Sequence, residues 1–549
     1  MTGISKSIQR TEQIRTNFGS RGSAVMAQAI YFYYMGVDFE NNFGSIEKAF
    51  EYSESMRNRG FLEQMGTETA LELPGITADE RQKVQSLTRE IENRQDILYR
   101  YGQKPPQNRD EEMHYVNTAQ TLTALEAELN DLDIQIGNRI PRYGEYRNPK
   151  PVSLIEAQQW CGDDQAVLEY VLWDDSIEFI PLRDGSIASS FTRPTINSYC
   201  LVLTNDGLVP VILDHDFDYM GAINRLRKNI TGVNRIGSME MDRNELYNAL
   251  IKPVLPYIPE NVKELLIVPD ATLGHLPFDV LREDYSSPDL GETYRITLSP
   301  SVSVSMLAEK TKQQNIPVMA FGGAWYNPNK TAADRSERGI VLIYDDEPGR
   351  RAITWRDLPG TEIEVQNLEK LISSPDKVKI FRGSDVSEAM IKDLSSKGEL
   401  AKYPILHFAC HGYFNEEDAE RSGIVLSEVS GLIDTGEDGY LTIPEIVLLN
   451  LDAKMILLSA CETGLGVLKR GDGMVGMARA FLVTGAENVG VSLWSIDDEA
   501  TQEFMTLLYN KVLNEGQTFK EAYYLVKNEF RKEEKWNHPY YWAAFTIYE

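Results

Sequence analysis

From about residue 315 onward, short apolar runs alternate with amphipathic stretches. Pro317–Gly322, Val378–Phe381, Tyr403–Gly412, Ala453–Gly464 and Val489–Ile496 are rich in aliphatic side chains and about as long as buried strands. Helical periodicity marks Thr361–Ser373, Ser384–Ser396 and Met474–Thr484 between them, and Asp498–Asn514 and Thr518–Lys532 after them. An aromatic strand, Tyr541–Tyr548, closes the chain, and Ile424–Leu426 is assigned to a loop. Strands and helices alternating in this way predict an α/β fold with a parallel sheet covered on both faces and right-handed crossovers.

The preceding stretch is also α/β. Ala166–Leu172, Ile177–Pro181 and Cys200–Leu203 read as short strands, Tyr219–Asn229 and Glu245–Val254 as helices, and Glu264–Asp270 as a buried strand stopped by Pro269. The first 150 or so residues are all-α in pattern. Ser23–Gln64 reads as a helical hairpin whose first helix breaks at Gly36 and whose second begins at Ser45. It resembles one tetratricopeptide unit, although a single repeat cannot bury its own face. Val84, Leu87, Ile91, Ile97 and Leu98 mark one long helix; Leu122, Leu125, Leu129, Leu132 and Ile136 mark a second, beyond Pro105 and Pro106. A long antiparallel hairpin follows from that spacing, either a docking arm or a solvated structural arm. The expected divisions are residues 1–74, 75–150, 151–314 and 315–549.

Composition narrows the function classes. A chain of 549 residues exceeds one core, so roughly two to four structural units are expected. Its formal net charge of −28 argues against nucleic acid or an anionic membrane as partner, because both reward clustered Lys and Arg. It favours protein partners, or reflects only a solvated acidic surface. No apolar run approaches the ~18 residues of a membrane helix, and the first twenty residues contain no signal-peptide core. Cys161, Cys200, Cys410 and Cys461 are scattered without a CxxC pair, which fits a reduced, cytoplasmic setting.

Two runs end in reactive residues: Tyr403–Gly412, with His407, Cys410 and His411, and Ala453–Gly464, with Cys461. Carboxyl ends of strands in an open parallel sheet share one crevice, so His411 and Cys461 can meet there as base and thiol. The alternative is a buried apolar Cys and a satisfied core His. Main-chain N–H groups of Gly412 and Cys461 are candidates for an oxyanion hole. His407 and His411 have a His-x3-His spacing, but no third ligand cluster lies nearby, so neither metal nor cofactor is expected. From the residues alone, Asp498 caps the next helix and Asp497 faces solvent. No P-loop, dinucleotide fingerprint or G-x-S-x-G elbow is present.

Several segments, in order, resemble the CHAT family of caspase-like cysteine proteases, often fused to tetratricopeptide repeats. They are Val268-Pro-Asp-Ala-Thr-Leu-Gly-His-Leu-Pro-Phe278, Leu358-Pro-Gly-Thr-Glu362, His407-Phe-Ala-Cys-His-Gly412, Ser459-Ala-Cys-Glu-Thr-Gly464, Gly490–Thr501 and His538–Phe545. Fifty residues separate His411 from Cys461, close to the ~50 quoted for caspases. The resemblance implies that Cys461 is the nucleophile and His411 the base, with Gly412 at the oxyanion hole. It also implies that Trp494, Ser495 and Asp497 line a substrate pocket, and that His407 is a structural strand residue. Cys410 departs from the family pattern and raises the question of competing oxidation. By the same resemblance, residues 151–314 are a degenerate, pseudo-protease companion half and residues 315–549 the catalytic half. The chain is then a cytoplasmic endopeptidase for a protein substrate, latent until a regulatory partner engages the N-terminal helices, in prokaryotic defence or cell death. The rivals are a non-catalytic pseudo-protease scaffold and a helical-repeat adaptor.

Overall fold

Buried aliphatic runs dictate the core of the larger of two units, Ala157–Leu172 with Tyr199–Glu549. The structure, a computed structural model, describes residues 23–57, 71, 75–103, 106, 108–140, 143, 151–173, 196–232, 236–307, 317–326, 341–344, 351–355, 357–372, 377–413, 422–427, 438–459 and 473–549. The predicted strand Ile177–Pro181 lies outside these residues.

In the smaller unit, Met1–Glu156 with Trp173–Ser198, helix α1 spans Ser23–Phe43 and runs through Gly36, contrary to the predicted break. A helical Gly costs about 1 kcal/mol relative to Ala. Burial of Tyr33, Tyr34 and Val37 around it outweighs that cost. A further helix covers residues 46–57. Helices α2 (Ala78–Gln103) and α3 (Arg109–Arg139) form the long hairpin that the heptad spacing predicts. Val84 and Ile136 bury against Leu71 and Tyr143, with Leu129 and Leu132 packed alongside. Asn108 caps α3 by accepting from the Glu111 N–H.

The larger unit is built on one eleven-stranded sheet in the order β3-β2-β1-β4-β5-β16-β15-β14-β10-β6-β9. Its first strands are β1 (Gln165–Val171), β2 (Ser198–Thr204), β3 (Gly207–Leu213), β4 (Glu264–Val268) and β5 (Arg295–Leu298), with helix α4 (Tyr219–Thr231) between β3 and β4. Next come β6 (Val318–Ala324), a two-stranded hairpin of β7 (Val341–Tyr344) and β8 (Arg351–Thr354), helix α5 (Pro359–Leu371) and β9 (Val378–Gly383). Strand β10 (Ile405–Ala409) leads into a small antiparallel sheet of β11 (His411–Tyr413), β12 (Gly423–Val425) and β13 (Tyr440–Thr442). The Ile424 segment is therefore a strand and not the expected loop: Ile424 and Val425 are buried against partners on both sides. Strand β14 (Met455–Leu458), helix α6 (Gly473–Thr484), β15 (Val489–Ser492), helices α7 (Asp498–Leu513), α8 (Phe519–Lys532) and α9 (Pro539–Trp542), and β16 (Phe545–Tyr548) complete the chain.

Most neighbouring strands are parallel, as the alternation of strands and helices predicts. Three pairings differ: β1 with β2 and β15 with β16 are antiparallel, and so is β2 with β3, which a two-residue connection joins as a hairpin. Strand β16 is short because helix α9, begun by Pro539, takes in Tyr541 and Trp542 of the stretch expected to be extended. It lies between β15 and β5 and so joins both groups of strands into one sheet.

The close seating of α5 on β6 depends on glycine. A Cβ on Gly322 would lie 2.6 Å from the Thr361 carbonyl oxygen, and Gly323 has φ +65°. The Gly323 N–H donates to the Thr361 hydroxyl at 3.0 Å. On the opposite face of the sheet, Phe321 stacks between Phe381 and Phe408, and Phe408 also meets Phe481 of α6.

Candidate active site

Chain order β6, β9, β10, β14 against spatial order β14-β10-β6-β9 puts a topological switch between β6 and β10, where open α/β sheets form a crevice at the strands' carboxyl ends. Strands β10 and β14 are parallel neighbours with Phe408 opposite Leu458. The Ser459 N–H extends the ladder by donating to the Phe408 carbonyl at 2.9 Å. Three residues past this matched pair come His411 on one strand and, in sequence, Cys461 on the other. Cys461 itself lies outside the described residues, as do Gly464 and Gly466.

His411 begins β11 and is 0% exposed. Its main-chain N–H donates to the Tyr326 hydroxyl at 3.1 Å. Its ring lies between those of Tyr326 and Trp355, with centroids 4.7 and 4.9 Å away. Trp355 follows strand β8 directly, and its indole N–H donates to the Tyr440 hydroxyl at 2.8 Å. Gly412 lies in β11 opposite Ile424. None of these aromatic neighbours follows from spacing, because each comes from a different, sequence-distant strand end.

Cys410 is buried beside the Phe321 carbonyl oxygen, and burial pushes its thiol up to about 12. That answers the question of competing oxidation, since a covered, protonated thiol is a poor nucleophile. Burial likewise raises the Cys161 thiol to about 11.

His407 points to the other face of β10. Its Nδ1 lies 2.8 Å from the Tyr509 hydroxyl of α7, and its Nε2 3.0 Å from Glu364 Oε1 of α5. Glu364 Oε2 accepts from the Ser459 hydroxyl at 3.1 Å. All four side chains are buried. His407 is therefore a strand residue, as expected, but one embedded in a polar cluster. A signal for Glu364 was available: Thr361, Glu364, Val365 and Leu368 form the buried stripe of α5, so a carboxylate occupies an apolar-spaced position.

The two imidazoles of the His-x3-His pair thus occupy separate surroundings. Among the described residues, the grouping that could hold a metal ion is the exposed triplet Asp214, His215 and Asp216, away from these histidines in sequence.

Trp494 is buried and its indole N–H donates to the Tyr540 carbonyl at 3.0 Å; Ser495 and Asp497 are exposed. The helix cap falls to Asp497, where Asp498 was expected. Asp497 Oδ1 accepts from the N–H groups of Glu499 at 2.9 Å and Ala500 at 3.3 Å. Helix α7 begins at Asp498, where its pattern starts, so the residue before it is the cap.

Arg227 of α4 joins the 3₁₀ turn Ala271–His275 to the end of β15, donating to the carbonyls of His275 at 2.9 Å and Leu493 at 2.8 Å. Burial, reinforced by the Arg227 charge, pulls the His275 imidazole down to about 4. The unfolded chain takes up this proton below about pH 6.5, whereas the folded chain does so only near 4, so stability falls as pH drops through that window. At pH 4 the wild type is expected to have lost up to ~3 kcal/mol more than His275→Gln, relative to pH 7. Urea midpoints of both proteins across pH 4–7 measure the difference; parallel curves would remove His275 as the cause.

The fold and site define an α/β protein whose His-bearing strand adjoins a strand leading to a cysteine. A model of the CHAT domain matches residues 242–549, more than half of the chain, and the chain belongs to the CHAT domain family. Tetratricopeptide repeat protein 28 of Mus musculus is 32% identical over 110 residues, covering 20% of this chain and 4% of that protein. The Homo sapiens protein of the same name is 21% identical over 318 residues, covering 52% of this chain and 12% of that protein. The chain thus spans only a small part of the length of these relatives. Among solved structures, the Saccharomyces cerevisiae separase–securin complex aligns with TM-score 0.41 and 10% identity over 95% of this chain and 47% of that one. The Arg-specific cysteine proteinase gingipain R aligns with TM-score 0.29 and 10% identity over 60% of this chain and 73% of that one. Among the described residues, no helix is long and apolar enough to cross a membrane.

Proposed function

We propose that the chain is a cytoplasmic cysteine endopeptidase that cuts a protein substrate with Cys461 and His411. The matched register of β10 and β14 supports this reading: Phe408 pairs with Leu458, and His411 and Cys461 each follow three residues later in sequence. His411 takes the Cys461 proton as Sγ bonds to the peptide carbonyl carbon. Main-chain N–H groups of Gly412 and Cys461 hold the resulting oxyanion. His411 returns the proton to the departing amine as the C–N bond breaks, and water then hydrolyses the thioester. Trp494, Ser495 and Asp497 border the substrate pocket, with one Asp497 oxygen committed to the α7 cap. The strands before Ser299 act as a non-catalytic companion to the catalytic half. The N-terminal helices serve as the docking arm for a regulatory protein, within a defence or cell-death pathway.

Full burial of His411 under Tyr326 and Trp355 supports a latent state, since a substrate reaches the imidazole only after a neighbour moves. The same burial is the one observation favouring a non-catalytic scaffold. A thiol-directed peptide electrophile separates the two. Labelling is expected at Cys461 and not at Cys161, Cys200 or Cys410, which are all buried. A protein labelled at none of the four, or labelled without preference, would return the scaffold reading.

A further inference from the structure

We propose that Glu364, which lies beside His407, positions the strand end that leads to Cys461, acting through the Ser459 hydroxyl. The proposal rests on Cys461 being the nucleophile. Ser459 is the last described residue before Cys461 and is fixed twice, its N–H by the Phe408 carbonyl and its hydroxyl by Glu364. Glu364 is in turn oriented from two directions. Helix α5 carries it, seated on β6 by Gly322 and Gly323, and His407 Nε2 sits 3.0 Å from its second oxygen. A carboxylate beside Nε2 favours the proton on that nitrogen, which leaves Nδ1 to accept from the Tyr509 hydroxyl. Tyr509 is suited to donate, because burial and the nearby Glu364 charge hold its phenol well above the usual range. Two helices and strand β10 therefore converge on one hydroxyl two residues before the nucleophile.

A carboxylate is a demanding way to fill this space. A buried charge requires satisfied partners, whereas aliphatic side chains would pack β6, β10 and β14 at lower cost. What it supplies is a charge-assisted hydrogen bond, roughly twice as strong as a neutral one and directional. Burial, and to a smaller extent the Glu364 charge, raises the Cys410 thiol, so the carboxylate's field reaches the crevice end of β10.

Alkylation of Cys461 by iodoacetamide in the intact chain, followed by mass spectrometry of the Cys461 peptide, tests this. Ser459→Ala and Glu364→Gln are expected to slow alkylation about tenfold, the equivalent of one charge-assisted hydrogen bond. Ser459→Thr, which keeps the hydroxyl, is expected to retain the wild-type rate. A merely structural contribution predicts the opposite direction: loosening the core would expose Cys161, Cys200 and Cys410 and speed their labelling. An unchanged rate in Ser459→Ala overturns the positioning role whatever His411→Ala does. An unchanged rate in His411→Ala overturns the dyad whatever the Ser459 variants do. Should Glu364→Gln fail to fold, the Ser459 pair decides alone.

Discussion

Cys461→Ala is expected to abolish cleavage of a cognate protein while leaving the thermal transition of the chain unchanged. The nucleophile is the one group in the proposed mechanism for which nothing else substitutes, since the bond that forms is to its sulfur. His411→Ala should lower the rate by about 10²–10⁴-fold, the range a positioned acid–base contributes, and leave a slow residual reaction in the wild-type thiol. The double variant should be no worse than Cys461→Ala, because the two residues act as one unit. Incubation with the proteins encoded beside this chain, followed by mass spectrometry of new termini, gives the comparison. Cleavage retained by Cys461→Ala would sink the protease assignment outright.

The hydrophobic pattern carried the sheet well and the site only in part. Strands such as β10 and β14 are buried on both faces, so their sequences read as continuous apolar runs whose length and spacing are visible without a structure. The heptad stripe of α2 and α3 was legible for a similar reason: period 3.5 survives any change in what the helices pack against. Boundaries fared worse. Helix α1 crosses Gly36 because tertiary burial of flanking aromatics overrides a local propensity, and the cap of α7 falls to Asp497 and not to Asp498. The small sheet β11-β12-β13 was missed at Ile424, since three-residue strands carry no period to detect.

The site itself divides along the same line. His411 and Cys461 could be singled out because each ends an apolar run. The residues that surround His411 could not, because Tyr326 and Trp355 come from other strand ends, and only the strand order β10-β6 brings Tyr326 near. Glu364 shows an intermediate case: its stripe position was readable, but its partners His407, Ser459 and Tyr509 required the register and the helix faces. Periodicity locates the elements, and the strand order chooses the neighbours.

Lys527→Met is expected to destabilise the larger unit by about 3 kcal/mol, the lower end of what removing one partner of a buried ion pair costs. Lys527 Nζ lies 2.7 Å from Asp279 Oδ2, and both side chains are buried where α8 packs against the segment after β4. Burial lowers the Lys527 ammonium's pKa, and the neighbouring Asp279 opposes that shift. Arg531 is a second, longer-range partner of the same carboxylate. Its guanidinium is 3.9 Å from Asp279 Oδ1, stacks over the Trp542 ring and also faces Asp289. Replacing both partners, Asp279→Leu with Lys527→Met, should recover most of the loss, because an apolar pair needs no desolvated counter-charge. Urea midpoints of the wild type, Asp279→Leu, Lys527→Met and the double variant close a cycle. A coupling energy near zero would mean that the ion pair is incidental to how α8 and β16 join the two groups of strands.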